Sequence, residues 1–238
     1  GHISGDSTRF DTMISMARAR NLAVPANYDI FKGLCDAQKF ADYTILFWFS
    51  GFGDNIDNNW YAGMRNVPVI GEVPPEGFMM FMWDAEYVFK NAGGPPGHYE
   101  PWVPSYYYTM TGYTIVDTWL ALHDNMDFRM LFADRVYKHC FNNGPLADEN
   151  TQARWDAIVD HIDEASSGEA ARWGKNPTPE TVNMSGFVNT FMTALDAKGE
   201  LYPTIDPPTF NQQGGHVSAG FSLTMTNPNG SGVIYYTL

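Results

Sequence analysis

The run Asp54-Asn55-Ile56-Asp57-Asn58-Asn59-Trp60-Tyr61 and the later run Phe78-Met79-Met80-Phe81-Met82-Trp83-Asp84-Ala85-Glu86 decide how this chain is read. Two short aromatic and apolar segments, Trp60 to Arg65 and Phe78 to Trp83, flank Val73-Pro74-Pro75-Glu76-Gly77, whose prolines and glycine favour a turn. Together they predict a β-hairpin. A hairpin returns the chain to its start, so Asp84 is expected beside Asn59 despite their distance in sequence. Glu86 should share Asp84's side if the chain stays extended, because alternate residues of an extended chain face the same way.

Working outward, a helix is expected from Asp36 through Phe40, Tyr43, Leu46, Phe47 and Ser50, ending at Gly51-Phe52-Gly53. It delivers the chain into the polar run. Upstream, Asp6 or Ser7 can cap a helix reaching Arg20, with Phe10, Met13, Ile14 and Ala17 on one face, and Pro25 opens a shorter helix. Downstream, residues 93 to 114 are rich in Pro, Gly and Tyr and predict a long loop. Helical periodicity then returns over Thr114–Leu122, Asp127–Phe141, Asp148–Glu164 and Pro179–Ala197.

Beyond Pro203 the texture changes to Pro, Asn, Gln and Gly. Phe221–Thr226 and Val233–Thr237 suit antiparallel strands joined by the turn Asn227-Pro228-Asn229-Gly230. The expected fold class is therefore α+β: a mostly helical domain with one β-hairpin over residues 1–202, then a partial antiparallel β-sandwich over 203–238.

Composition narrows the function classes. A net charge of −13 repels phosphate backbones, which excludes nucleic acid as the expected partner and leaves divalent cations as plausible ligands. No apolar run approaches the roughly 18 residues of a bilayer span, so no membrane insertion is expected. The two cysteines, Cys35 and Cys140, have neither zinc-site nor CxxC spacing and are expected to be unpaired core residues. Gly1 to Asp6 read like the interior of a longer sequence, so the chain is expected to be a piece of a larger protein.

Phosphoryl transfer from a nucleotide needs metal ions on the phosphate oxygens, hard oxygen ligands to hold them, and a carboxylate to accept the hydroxyl proton. Protein kinases draw these groups from a catalytic-loop Asp, an Asn five residues later, and an Asp after the next hairpin. Asp54, Asn59 and Asp84 have that arrangement.

At these residues the chain resembles the CotH-type kinases, atypical kinase-like proteins of bacterial spore coats and secretions. The resemblance is carried by Asp54, Asn59-Trp60-Tyr61 and Trp83-Asp84-Ala85-Glu86, then by Phe128 to Val136, His139 to Leu146 and Ala171 to Gly174, across roughly residues 10 to 200. It implies an atypical kinase fold that uses ATP with Mg²⁺ or Mn²⁺ to phosphorylate Ser or Thr hydroxyls of a protein substrate, in a secreted or cell-surface setting. Carried over, Asp54 is the base or orienting carboxylate with Asp57 as its rival. Asn59 and Asp84 are metal ligands and Glu86 an auxiliary one. The kinase pattern also asks for a glycine-rich loop and a phosphate-binding Lys, and nothing before Asp36 supplies them, since Lys32 and Lys39 sit in helical surroundings. The nucleotide-covering lobe is thus expected upstream, or lost. The tail, through Pro208-Thr209-Phe210, Gly214-Gly215 and Gly230 to Thr237, resembles the opening strands of the immunoglobulin-like module at the C-terminus of chitobiases and β-hexosaminidases.

Simpler roles compete with each of these. Asp and Asn near Gly make turns and caps by bonding nearby amides. Arg135 and Arg172 suit ion pairs as well as phosphate, and His98, His123, His139 and His161 form no evident ligand set. Trp60, Trp83 and Tyr106 to Tyr108 can pack or can line a groove for a surface glycan. The alternative function is accordingly a non-catalytic kinase-like scaffold or carbohydrate-associated module of a large bacterial surface protein.

Overall fold

The structure is a computed structural model that describes residues 5–52, 59–65, 77–85, 88–89, 111–174, 182–197 and 201–236. It is α+β and mainly helical, and it divides into two compact units, residues 1–201 and 202–238.

In the first unit, α1 (Thr8–Ala19) begins after Asp6, whose carboxylate accepts from the Thr8 amide at 2.7 Å. Met13, Ile14 and Ala17 are buried as their spacing predicts, and Arg20 ends the helix in a left-handed conformation. Pro25 occupies the first position of α2 (Pro25–Lys32), where its missing N–H costs no hydrogen bond.

The centre of the unit is α3 (Ala37–Phe49). Asp36 caps it by accepting from the Lys39 amide at 2.9 Å, and Gly51 turns the chain away at φ 70°. The helix is buried on most sides, with Phe40, Tyr43, Ile45, Phe47, Trp48 and Phe49 inside, while Leu46 of the expected apolar face is exposed. Only a narrow stripe through Lys39, Asp42 and Leu46 is left outside, which marks a helix near the centre of the core.

Around it stand α4 (Thr114–His123), α5 (Met126–Cys140), α6 (Asp148–Trp173) and α7 (Phe187–Ala197). Trp48 meets Trp119 of α4 and Phe132 of α5 edge-on at 4.6 and 5.7 Å, and Phe49 meets Phe191 of α7 at 5.5 Å, an aromatic core in the preferred T-shaped geometry. Two expected boundaries shift. The sixth helix runs past Glu164 to Trp173, and the last starts at Phe187, after Gly186 at φ 83°, instead of near Pro179. The first turn of α7 is held from outside: the Asp148 carboxylate accepts from the amides of Gly186 and Val188 at 2.5 and 3.0 Å, the service a local cap would perform. Cys35 and Cys140 are buried free thiols, and burial, with Asp148 nearby, pushes the Cys140 thiol up to about 12.

A polar tie joins α3 to α5. Arg135 donates from Nε and Nη2 to the two Asp42 oxygens at 2.5 and 2.8 Å, and His139 Nε2 donates to Asp42 Oδ1 at 2.8 Å, an ionised carboxylate being an acceptor only. Burial alone would raise the Asp42 carboxyl, but the hydrogen bonds and positive charge of Arg135 and His139 outweigh it and hold the group below its ordinary value. A carboxyl more acidic when folded stabilises the protein above the ordinary carboxylate range, and that contribution disappears as pH falls through the folded value. Asp42→Asn is therefore expected to cost about 2 kcal/mol in urea unfolding at neutral pH. The gap from wild type should narrow as pH is lowered toward about 3.

The second unit, residues 202–238, contains β3 (Thr209–Phe210), which pairs antiparallel with β4 (Met225–Thr226). The expected strands over Phe221–Thr226 and Val233–Thr237 reduce to Met225–Thr226, and residues 233–236 form no strand. Asparagine side chains account for the shortening of the first of these strands. Asn211 bonds the Thr224 amide and the Ser222 carbonyl at 2.9 and 3.0 Å, and Asn229 bonds both the amide and the carbonyl of Asp206. These side chains take the backbone partners that a longer ladder would use. A β-sandwich is not seen among the described residues.

Candidate functional site

The hairpin pairs β1 (Trp60–Gly63) with β2 (Met79–Met82), Trp60 opposite Met82 and Tyr61 opposite Phe81. One further pair closes its open end, where the Trp83 amide donates to the Asn59 carbonyl at 2.9 Å. Asp84 therefore follows directly on the residue paired with Asn59, as a hairpin requires. Both Asn59 and Asp84 have left-handed backbones, φ 56° and 55°, a conformation that Asn and Asp tolerate better than other residues with a Cβ. The chain turns at both positions, one entering the hairpin and one leaving it.

A second bond fixes the far side. Phe89, itself at φ 55°, donates its amide to the Ser50 carbonyl at 2.6 Å, and its ring packs on Phe49, Phe187 and Trp155. Ser50, at the C-terminus of α3, is thus joined to Phe89, and Asn59 to Trp83. Asp54, Asp57 and Glu86 lie outside the described residues, as do Tyr106 to Tyr108.

What positions the hairpin is the junction of α2 and α3. The Phe78 amide donates to the Leu34 carbonyl at 2.8 Å and the Asp36 amide to the Phe78 carbonyl at 3.0 Å, while Phe10 meets the Phe78 ring edge-on at 5.1 Å. Gly77 makes this approach possible. It sits at φ +121°, and a Cβ there would lie 2.5 Å from the backbone of Leu34 and Cys35. The turn composition marked Gly77 in sequence, but its contact with residues distant in the chain had no local signal.

Chemically, the Asn59 amide and the Asp84 carboxylate offer hard oxygen donors of the kind that suit Mg²⁺ or Mn²⁺. Asp84 is exposed to solvent. No group of three or more His, Cys, Asp or Glu among the described residues is arranged to hold a metal ion. Arg135 and His139 are engaged with Asp42, and Arg172 lies over the Trp173 ring at 5.1 Å.

Strand parity separates the two tryptophans expected to share a groove. Trp60, Ala62, Met80 and Met82 fall on one face of the ribbon, with Met80 buried, whereas Tyr61, Phe81 and Trp83 fall on the other and are exposed. No helix among the described residues is long and apolar enough to cross a membrane. No protein-family model, no curated protein and no solved structure matches the chain.

Proposed function

We propose that this chain is the metal-holding, mainly helical lobe of a CotH-type atypical kinase, which transfers the γ-phosphoryl group of ATP to Ser or Thr hydroxyls of a secreted or surface protein. The observation that supports this reading most is the backbone pairing of Asn59 with Trp83, which brings residues 59 and 84, both on left-handed backbone, to the open end of one hairpin. Unusual backbone held by surrounding structure is a feature of ligand clamps.

In this reading Asn59 and Asp84 hold Mg²⁺ or Mn²⁺, with Glu86 as an auxiliary ligand. When bound, the metal neutralises charge on the phosphate oxygens. Asp54 orients the acceptor hydroxyl and takes its proton, with Asp57 as the other carboxylate able to do so. The tie between Ser50 and Phe89 joins the C-terminus of α3 to the chain that follows the hairpin.

The test is transfer of labelled γ-phosphate from ATP to a Ser- and Thr-containing protein in the presence of Mn²⁺, using the reading frame that carries this chain. Asn59→Ala should lower transfer at least about tenfold, well beyond the small loss of thermal stability expected from Ala on left-handed backbone. Equal transfer by wild type and Asn59→Ala would overturn the assignment.

A further inference from the structure

Phe89 has a backbone conformation that its side chain disfavours. Among the described residues that combine a Cβ with a left-handed φ, Asn59, Asp84, Asn142 and Asn143 are of the types that tolerate it and Arg20 ends a helix, whereas Phe89, at φ 55°, is large and apolar. Such a conformation costs energy and persists only where the surroundings over-determine it. Two kinds of contact do so. The Phe89 amide donates to the Ser50 carbonyl at 2.6 Å, and the partly buried ring meets Phe49 of α3 at 6.4 Å, Trp155 of α6 at 6.0 Å and Phe187 of α7 at 6.1 Å. One side chain therefore packs against three helices.

Its bonding partner shows what is held. Phe78, just before β2, bonds Asp36, the N-cap of α3, while Phe89 bonds Ser50, the C-cap of the same helix. The chain is thus attached to one end of α3 before Asp84 and to the other end after it. Phe78 to Trp83, fully extended, makes a ribbon edge about 17 Å long. Pinned at Phe78 alone, such a ribbon could swing about that end, and its far end carries Asn59 and Asp84. The buried Met80 holds the middle of β2, and Phe89 supplies the attachment beyond Trp83.

We infer that Phe89 is a positioning residue that ties the Asp84 end of the hairpin to the C-terminus of α3. For the metal this rests on the proposed roles of Asn59 and Asp84: a hairpin restrained beyond its open end leaves less ordering to be done when a cation arrives. Phe89 acts through the backbone and touches no substrate.

Hydrogen exchange of the Trp83 amide, followed by NMR on the full chain with EDTA present, tests the restraint without metal. Phe89→Leu keeps an apolar side chain but loses the ring contacts, and Phe89→Gly relieves the backbone while removing the ring. Both should speed Trp83 exchange at least about tenfold. With Mn²⁺ in place of EDTA, the concentration that half-broadens the Asp84 amide should rise at least about threefold in both. Phe191→Leu shortens a fully buried ring that also packs on Phe49, so it should cost as much thermal stability as Phe89→Leu. It should move neither readout, because an amide at the end of a two-stranded ribbon exchanges by local opening. Unchanged Trp83 exchange in both Phe89 variants would overturn the inference, as would equal acceleration by Phe191→Leu. If Mn²⁺ leaves Asp84 of the wild type unaffected, the metal reading fails, and the exchange rates alone decide the role of Phe89.

Discussion

Replacing Asp84 with Ala or Asn is expected to reduce Mn²⁺-supported phosphoryl transfer by roughly 10²–10³-fold, the loss typical when one preorganised electrostatic group is removed from a transition state. Asp84 is exposed and follows the end of β2, so Asn, which tolerates its left-handed backbone, should hardly move the thermal midpoint, whereas Ala should lower it slightly. The split between kinetic constants carries the information. A ligand to the catalytic metal should lower kcat at saturating ATP and raise the metal concentration needed for half-maximal rate, with partial recovery at high Mn²⁺. A merely structural Asp84 would move stability and rate together and show no dependence on metal concentration.

Gly77→Ala should have the largest effect on the fold of the hairpin. Two independent penalties coincide there: a backbone at φ +121° that L residues avoid, and a Cβ that would sit 2.5 Å from the main chain of Leu34 and Cys35. Neither neighbour is a flexible side-chain tip. The strand must move away, which breaks the bonds of Phe78 to Leu34 and Asp36 and disturbs the Phe10–Phe78 contact. A cost of about 3 kcal/mol is expected in urea unfolding. Transfer activity should fall with it, since Asn59 and Asp84 flank the displaced ribbon. Gly63→Ala is a useful contrast, because its Cβ would meet the Phe81 ring at an ordinary 3.7 Å and should leave the hairpin in place.

Local chemistry made much of this architecture readable in advance. Asp36 with its helix and Pro25 at the start of α2 act through neighbours a few residues away, so sequence spacing reports them. The pairing of Asn59 with the residue before Asp84 followed from the hairpin alone. Other features depend on distant partners. Leu46 has the apolar character of a core residue, but it falls on the narrow stripe with Lys39 and Asp42 that α3 leaves toward solvent. The start of α7 is set by Asp148 from another helix, which no window around Phe187 contains. Alternating apolar residues near Phe221 suggested a strand, yet Asn211 and Asn229 reach across the chain and satisfy the backbone first. Trp60 and Trp83 looked like partners until strand register put them on opposite faces.

The claim on which the functional reading rests is that Asn59 and Asp84 hold the same metal ion. Mn²⁺ added stepwise to the isotope-labelled chain, with amide resonances followed by NMR, measures this without requiring turnover. At the lowest Mn²⁺ concentrations the signals of Asn59, Trp60, Trp83, Asp84 and Ala85 should broaden together and first, and Asp84→Ala should abolish the effect at all of them. Broadening that begins instead along the acidic surface of α6, or that reaches Asp84 without Asn59, would contradict a shared site.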